Sequence, residues 1–193
     1  GAYTSAVFTN IFESVIPNDF IRYGVALLIG GAFAAIFGFI ICIPVLRLKG
    51  DYLAIVTLAF GEIIKNILNI VYLGVDSEGL KVSIDGTSYN EMLLDGGKTI
   101  IKGAMGITGT SRDANFIIAF ILLFITVMAS LNLINSRTGR AVMAIHDNSI
   151  AAQTIGINIS KYKLIVFTIA SFFAGIAGVL FSHNMNSFSS SGF

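Results

Sequence analysis

Glu62, Lys65, Asn66 and Asn69 fall at positions i, i+3, i+4 and i+7 of an otherwise apolar stretch. Residues at these spacings share one face of a helix, so the four side chains form a single polar stripe. An ionisable group at the centre of a membrane helix costs about 2.5–3.5 kcal/mol on insertion scales, and it therefore turns toward protein or water. Two arrangements satisfy that demand. Glu62 and Lys65 can pair across one turn while the asparagines bond to a neighbouring helix, or the whole stripe can line a water-filled translocation path. Catalytic chemistry has no comparable footing. The two histidines, His146 and His183, lie outside the apolar segments or at the end of one. No Ser/His/Asp or paired-aspartate set falls at membrane depth, and no Walker A pattern occurs. The chain reads as having no catalytic residues. The single Cys42 sits in an apolar run, cannot form an internal disulfide and has no companion at zinc or redox spacing. It reads as a small packing residue.

A second constellation lies in the polar, basic insert Ser136 to Lys163, held between two strongly apolar segments. His146-Asp147-Asn148-Ser149 offers several N-cap residues. Ile150 to Ile155 then reads as a short helix, and Gly156 fits the position after its end, where a left-handed residue is wanted. Gly139 is expected to break the chain just after the preceding apolar segment. Ala151 and Ala152 allow another surface to approach closely. Such an element serves either as a docking surface for a partner protein or as a helix lying passively on lipid.

These residues need elements to position them. The chain has 193 residues, of which 55% are hydrophobic and 12% charged, with mean hydropathy +0.84. Soluble domains carry about 25% charged residues, so the composition points to a membrane protein. A net charge of +1 without a clustered basic face argues against nucleic acid as a partner. Four segments have the roughly 20 apolar residues needed to cross a bilayer: about 23–46, 52–73, 114–134 and 164–181. The fold class is therefore all-α, a polytopic membrane helix bundle with four transmembrane helices. Arg47, Lys49, Arg137, Arg140, Lys161 and Lys163 lie in the loops 47–51 and 135–163, against only Asp51 and Asp147. The positive-inside rule places these loops in the cytoplasm and places segment 1–22 and loop 74–113 outside, with all four spans alternating consistently. Ala26, Gly30, Ala34 and Gly38 in the first span, and Ala170, Ala174 and Gly178 with Ser171 and Gly175 in the fourth, mark faces where helix backbones approach closely. In the glycine-rich loop 74–113, Leu80 to Ile84 alternates before Asp85-Gly86, the pattern of a small hairpin.

Several runs resemble the permease subunits of branched-chain amino-acid (leucine, isoleucine, valine) ABC importers. They are Leu46-Arg47-Leu48-Lys49-Gly50, Tyr52 through Ile63, Gly139-Arg140-Ala141, Ala144-Ile145, Asp147-Asn148, Ile150-Ala151-Ala152, Gly156-Ile157-Asn158, Tyr162-Lys163-Leu164 and Ala174-Gly175-Ile176-Ala177-Gly178. The resemblance implies one transmembrane permease domain over 1–193, a piece of a longer protein, in a bacterial inner membrane. It implies that loop 135–163 couples the chain to an ATPase, with Ala151, Ala152 and Gly156 forming the coupling helix and its stop and Arg140 and Asp147 bracing its ends. Ser149 and Gln153 stand where acidic residues are expected. The implied partners are a second permease subunit, two ATP-binding cassette ATPases and an external substrate-binding protein. ATP and magnesium would belong to the ATPases, with no cofactor bound by this chain. Related ABC permeases for sugars, urea or other amides form the alternative. A secondary transporter or channel, which has no need of the 136–163 element, forms the alternative of another class.

Overall fold

A computed structural model describes residues 1–12, 18–46, 48, 51–76, 79–84, 98–108, 110, 114–185 and 187–189. The helices are α1 (Ala2–Ile11), α2 (Asp19–Val45), α3 (Asp51–Ile70), α4 (Phe116–Asn135), α5 (Arg137–Asp147), α6 (Ser149–Thr154) and α7 (Ile159–Asn184). Four of them, α2, α3, α4 and α7, are long and apolar enough to cross a membrane. Large apolar side chains such as Phe37, Leu58, Phe120 and Phe124 are exposed along them, and α4 buries none of its residues within the chain. This is the surface that a lipid-facing or partner-facing helix presents.

The tightest pair is α2 with α7. They run antiparallel, because Gly30 lies against Val179 while Gly38 lies against Ser171. A Cβ on Gly175 would collide with the Ala34 side chain and come within 2.9 Å of the Gly30 carbonyl. The small-residue face of α2 meets Ser171 and Gly175 of α7, where close backbone approach maximises van der Waals contact, whereas Ala170 and Ala174 of the expected stripe are exposed and Gly178 lies against Ala2.

Segment 1–22, expected as an external flank, instead contributes α1, which packs lengthwise against α2 and α7. Gly1 meets Gly175, Ala2 meets Gly178, and Ser5 meets Ser182, so α1 runs parallel to α7.

The helix expected to reach residue 73 stops at Ile70, because Tyr72 already belongs to a strand. The loop expected over 74–113 holds most of a five-stranded antiparallel sheet. Its strands are β1 (Tyr72–Asp76), β2 (Gly79–Ser83), β3 (Lys98–Lys102), β4 (Ile107–Thr108) and β5 (Ser187–Phe188), in the order β2-β1-β3-β4-β5. The alternating run at Leu80 is a strand, and it pairs with upstream β1, Tyr72 opposite Ser83. The turn read at Asp85-Gly86 lies outside the described residues. Ile100, Ile101, Ile107 and Phe188 bury against Ala2 and Ala6 of α1, forming the apolar cluster that seats the sheet on the bundle. The Tyr3 ring meets Phe188 edge-on at 5.3 Å.

Candidate functional site

Ser136 ends α4 and begins α5. Its hydroxyl donates to the Leu133 carbonyl at 2.6 Å and accepts from the Gly139 N–H at 3.1 Å. Gly139 does not break the chain, as its type had suggested. It is buried inside α5, where a Cβ would collide with the Leu133 and Ile134 carbonyls. Glycine is needed there because the first turn of α5 folds directly onto the last turn of α4. The insert is consequently two helices in series, and α5 is amphipathic: Gly139 and Ile145 face inward, while Arg137, Arg140, Met143 and His146 are exposed.

Of the N-cap candidates, Asn148 is the one used. Its Oδ1 accepts from the N–H groups of Ile150 and Ala151, both at 3.1 Å, filling two of the four donor vacancies that every helix start leaves. The opposite end of α6 closes at Gly156, with φ +87°. The Gly156 N–H donates to Gln153 O at 3.0 Å and the Ile157 N–H to Ala152 O at 3.1 Å. These two bonds define a Schellman closure, in which glycine supplies the left-handed residue. Two residues later, Asn158 Oδ1 accepts from the Lys161 N–H at 3.1 Å and starts α7. Lys161 and Lys163 therefore belong to the first turns of α7 and not to a loop.

The five residues assigned to coupling lie together on α5, α6 and the turn after it, at the end of the bundle opposite the sheet. They are not alike in setting. Ala151 is exposed, whereas Ala152 is 2% exposed and faces the chain's own interior. Arg140 donates through Nη1 to the Asn135 carbonyl at 3.1 Å, so its guanidinium braces the α4–α5 corner and not α6. Asp147 is the last residue of α5, exposed, with Oδ1 3.7 Å from His146 Nδ1.

Glu62, Lys65, Asn66 and Asn69 lie on the sheet-side half of α3, away from α6. Glu62 and Asn66 are exposed, and Lys65 and Asn69 are half-buried. Among the described residues no ion pair joins Glu62 to Lys65. The pairing that one turn of separation permits is not made, and Glu62 and Asn66 are the two members of the stripe that are exposed. An open apolar groove of about 600 Å³ between α2, α4 and α7, lined by Ala35, Leu133, Phe172 and Phe173 among others, lies at neither set. It offers few polar groups to orient a charged solute.

A cluster missed in the sequence lies where α1 meets the sheet end of α7. Ser5, Thr9, Ser182 and His183 are all buried there. Thr9 and Ser5 stand four apart, a spacing that marks a helix face, but nothing local indicates that this face meets a residue 174 positions away.

The whole chain, residues 1–193, matches the family described as the permease component of the branched-chain amino acid transport system. The LivM permease protein of the high-affinity branched-chain amino acid transport system of Escherichia coli K12 is 32% identical over 190 residues, covering 94% of this chain and 43% of that protein. Its Salmonella typhimurium counterpart is 31% identical over the same coverage. A probable LivM permease protein of Methanocaldococcus jannaschii is 26% identical over 193 residues, covering 93% of this chain and 48% of that protein. The chain thus spans less than half the length of these relatives. No solved structure matches it.

Proposed function

This chain belongs to the permease family of branched-chain amino acid transport systems, and from that premise we propose that it is part of the membrane subunit of an ATP-driven importer of leucine, isoleucine and valine. The subunit hydrolyses nothing itself. ATP and magnesium are handled by two ATPase partners, a second permease completes the path, and an external binding protein delivers the solute. The positive-inside count supports a cytoplasmic α5–α6 end and an external sheet, and the family supports a bacterial inner membrane as the setting.

The observation that carries the reading is α6 itself. A helix of six residues is too short to be stable alone, yet α6 is capped at both ends by side-chain and backbone bonds. Its exposed side, with Ile150, Ala151 and Ile155, has no covering within the chain. A rigidly closed, outward-facing helix suits a groove on an ATPase. Only Ile155 to Asn158 separate it from α7, and the Gly156 closure and Asn158 cap hold that link. A displacement of α6 is therefore delivered to α7 with little slack. At 1.5 Å per residue the 26 residues of α7 extend about 39 Å, enough to carry the motion across a bilayer. Under this reading Glu62, Lys65, Asn66 and Asn69 line the solute path, and the absence of a Glu62–Lys65 ion pair among the described residues supports it.

The test is ATP-dependent uptake of labelled leucine by the full-length protein assembled with its partners, in competition with valine, isoleucine, ribose and urea. Competition by valine and isoleucine supports the reading. Uptake blocked only by ribose or urea keeps the ABC architecture and replaces the substrate. Transport without any associated ATPase moves the chain to the secondary-transporter or channel class.

A further inference from the structure

Two interfaces meet on α7, and they are built in opposite ways. Against α2, side chains interlock: Val179 fills the space over Gly30, the Phe172 ring covers Gly31, and Ser171 seats on Gly38. Sliding or parting these helices means withdrawing each knob from its hole, and packed interiors resist that.

Against α1 the contact is made by small residues and a few polar side chains. Gly1, Ala2, Ser5 and Thr9 form the face of α1, with Gly175, Gly178, Ser182 and His183 opposite. Ser5 Oγ lies 3.1 Å from Ser182 Oγ, and Thr9 Oγ1 lies 3.0 Å from His183 Nε2. Tyr23 of α2 sets its ring edge on His183 with centroids 5.0 Å apart. All four of the bonding groups are at most 3% exposed.

Each hydroxyl also has an acceptor on its own helix. Ser5 Oγ lies 2.9 Å from Ala2 O, Thr9 Oγ1 2.9 Å from Ser5 O and Ser182 Oγ 2.9 Å from Val179 O, so the single hydrogen of each hydroxyl can turn either across the contact or back to its own helix. His183 Nδ1 lies 3.0 Å from Val179 O. A buried donor that loses its partner usually bears the full desolvation cost. Here parting α1 from α7 leaves every hydroxyl with an acceptor already within reach, and it exposes a polar face that water can wet. The hydrogen bonds of this contact are specific when closed and inexpensive to exchange on opening.

Resting on the transport reading above, we infer that the α1–α7 contact at Ser5, Thr9, Ser182 and His183 is a releasable joint. It opens and closes once per transport cycle, while α2 and α7 move as one body. The joint lies at the sheet end of α7, at the far end from α6, so a push on α6 arrives there along one continuous helix. His183 is its positioning residue: its two ring nitrogens reach Thr9 on one side and the α7 backbone on the other, which holds the register of the closed state.

The test is a disulfide across the joint. Ser5→Cys with Ser182→Cys places two thiols where hydroxyls now stand 3.1 Å apart, in the full-length chain carrying Cys42→Ala and assembled with its partners. Leucine uptake before oxidation checks the transport reading by itself. Oxidation should then lower uptake at least tenfold, with recovery in dithiothreitol. An oxidised transporter that works at the unoxidised rate overturns the joint and makes the cluster a fixed brace. If that pair does not assemble, Ala2→Cys with Gly178→Cys, where a Cβ on residue 178 would stand 3.6 Å from that of residue 2, gives the same readout. The rate of cross-linking in the nucleotide-free and vanadate-trapped complexes must also differ several-fold, and equal rates overturn the inference independently of uptake.

Discussion

The backbone N–H of Ile157 donates to the carbonyl of Ala152 at 3.1 Å, across Gly156. That bond reverses the chain between α6 and α7, and it exists only because residue 156 adopts φ +87°. A left-handed conformation costs a residue with a Cβ about 1–2 kcal/mol.

Gly156→Ala should therefore loosen the end of α6 by that amount and no more, because a Cβ there meets nothing within 4 Å. Asparagine tolerates the conformation better than alanine, so Gly156→Asn should be milder. Hydrogen exchange at the Ile157 amide, compared across glycine, asparagine and alanine, checks the order.

Asn148→Ala removes both side-chain bonds at the start of α6 and should cost about 1 kcal/mol, as capping losses do. Asn148→Asp keeps an acceptor in place and should retain ATPase association. Co-purification of the ATPase with each variant separates the two, and equal association of the alanine and aspartate variants would show the cap to be dispensable.

The two alanines of α6 should fail differently. Ala151 is exposed, so Ala151→Glu should reduce ATPase association while leaving melting of the isolated membrane subunit unchanged. Ala152 is buried in its own chain, so Ala152→Glu should lower the melting temperature before any partner is added. A common effect on melting for both variants contradicts this division.

Gly175→Leu introduces a side chain where the Gly30 carbonyl and the Gly31 Cα lie 2.9 and 3.1 Å from a Cβ. Overpacking of this kind costs about 1–3 kcal/mol or more, and yield and detergent melting temperature should both fall. Gly61→Ala meets nothing within 4 Å. It should stabilise α3 by about 0.5–1 kcal/mol, the usual gain for replacing a mid-helix glycine.

Neutralising the α3 stripe distinguishes a path from a brace. Glu62→Gln and Lys65→Gln, singly, should each lower leucine uptake at least tenfold in a complex that still assembles. Loss of assembly with either variant would assign the stripe to helix contacts.

Much of the candidate site was legible because it is encoded locally. Gly156 after a short helical run and a group of N-cap candidates just before it are signals within one or two turns, and Gly156 and one of those candidates, Asn148, proved structural. Arg140 shows the limit of such reading: its guanidinium goes to Asn135 O, a destination decided by how α5 folds back on α4. Gly139 read as a breaker because local propensity says so, whereas the carbonyls of Leu133 and Ile134 require glycine within a helix.

The sequence by itself determined four apolar helices of spanning length and the short capped helix α6, because hydropathy and capping act over neighbouring residues. The tertiary structure decided what joins distant parts of the chain. It paired β4 with β5 through Ile107 and Phe188, laid α1 along α7, and brought Thr9 to His183 across 174 positions. A hydroxyl four residues from another marks a helix face, but only packing chooses which face it meets.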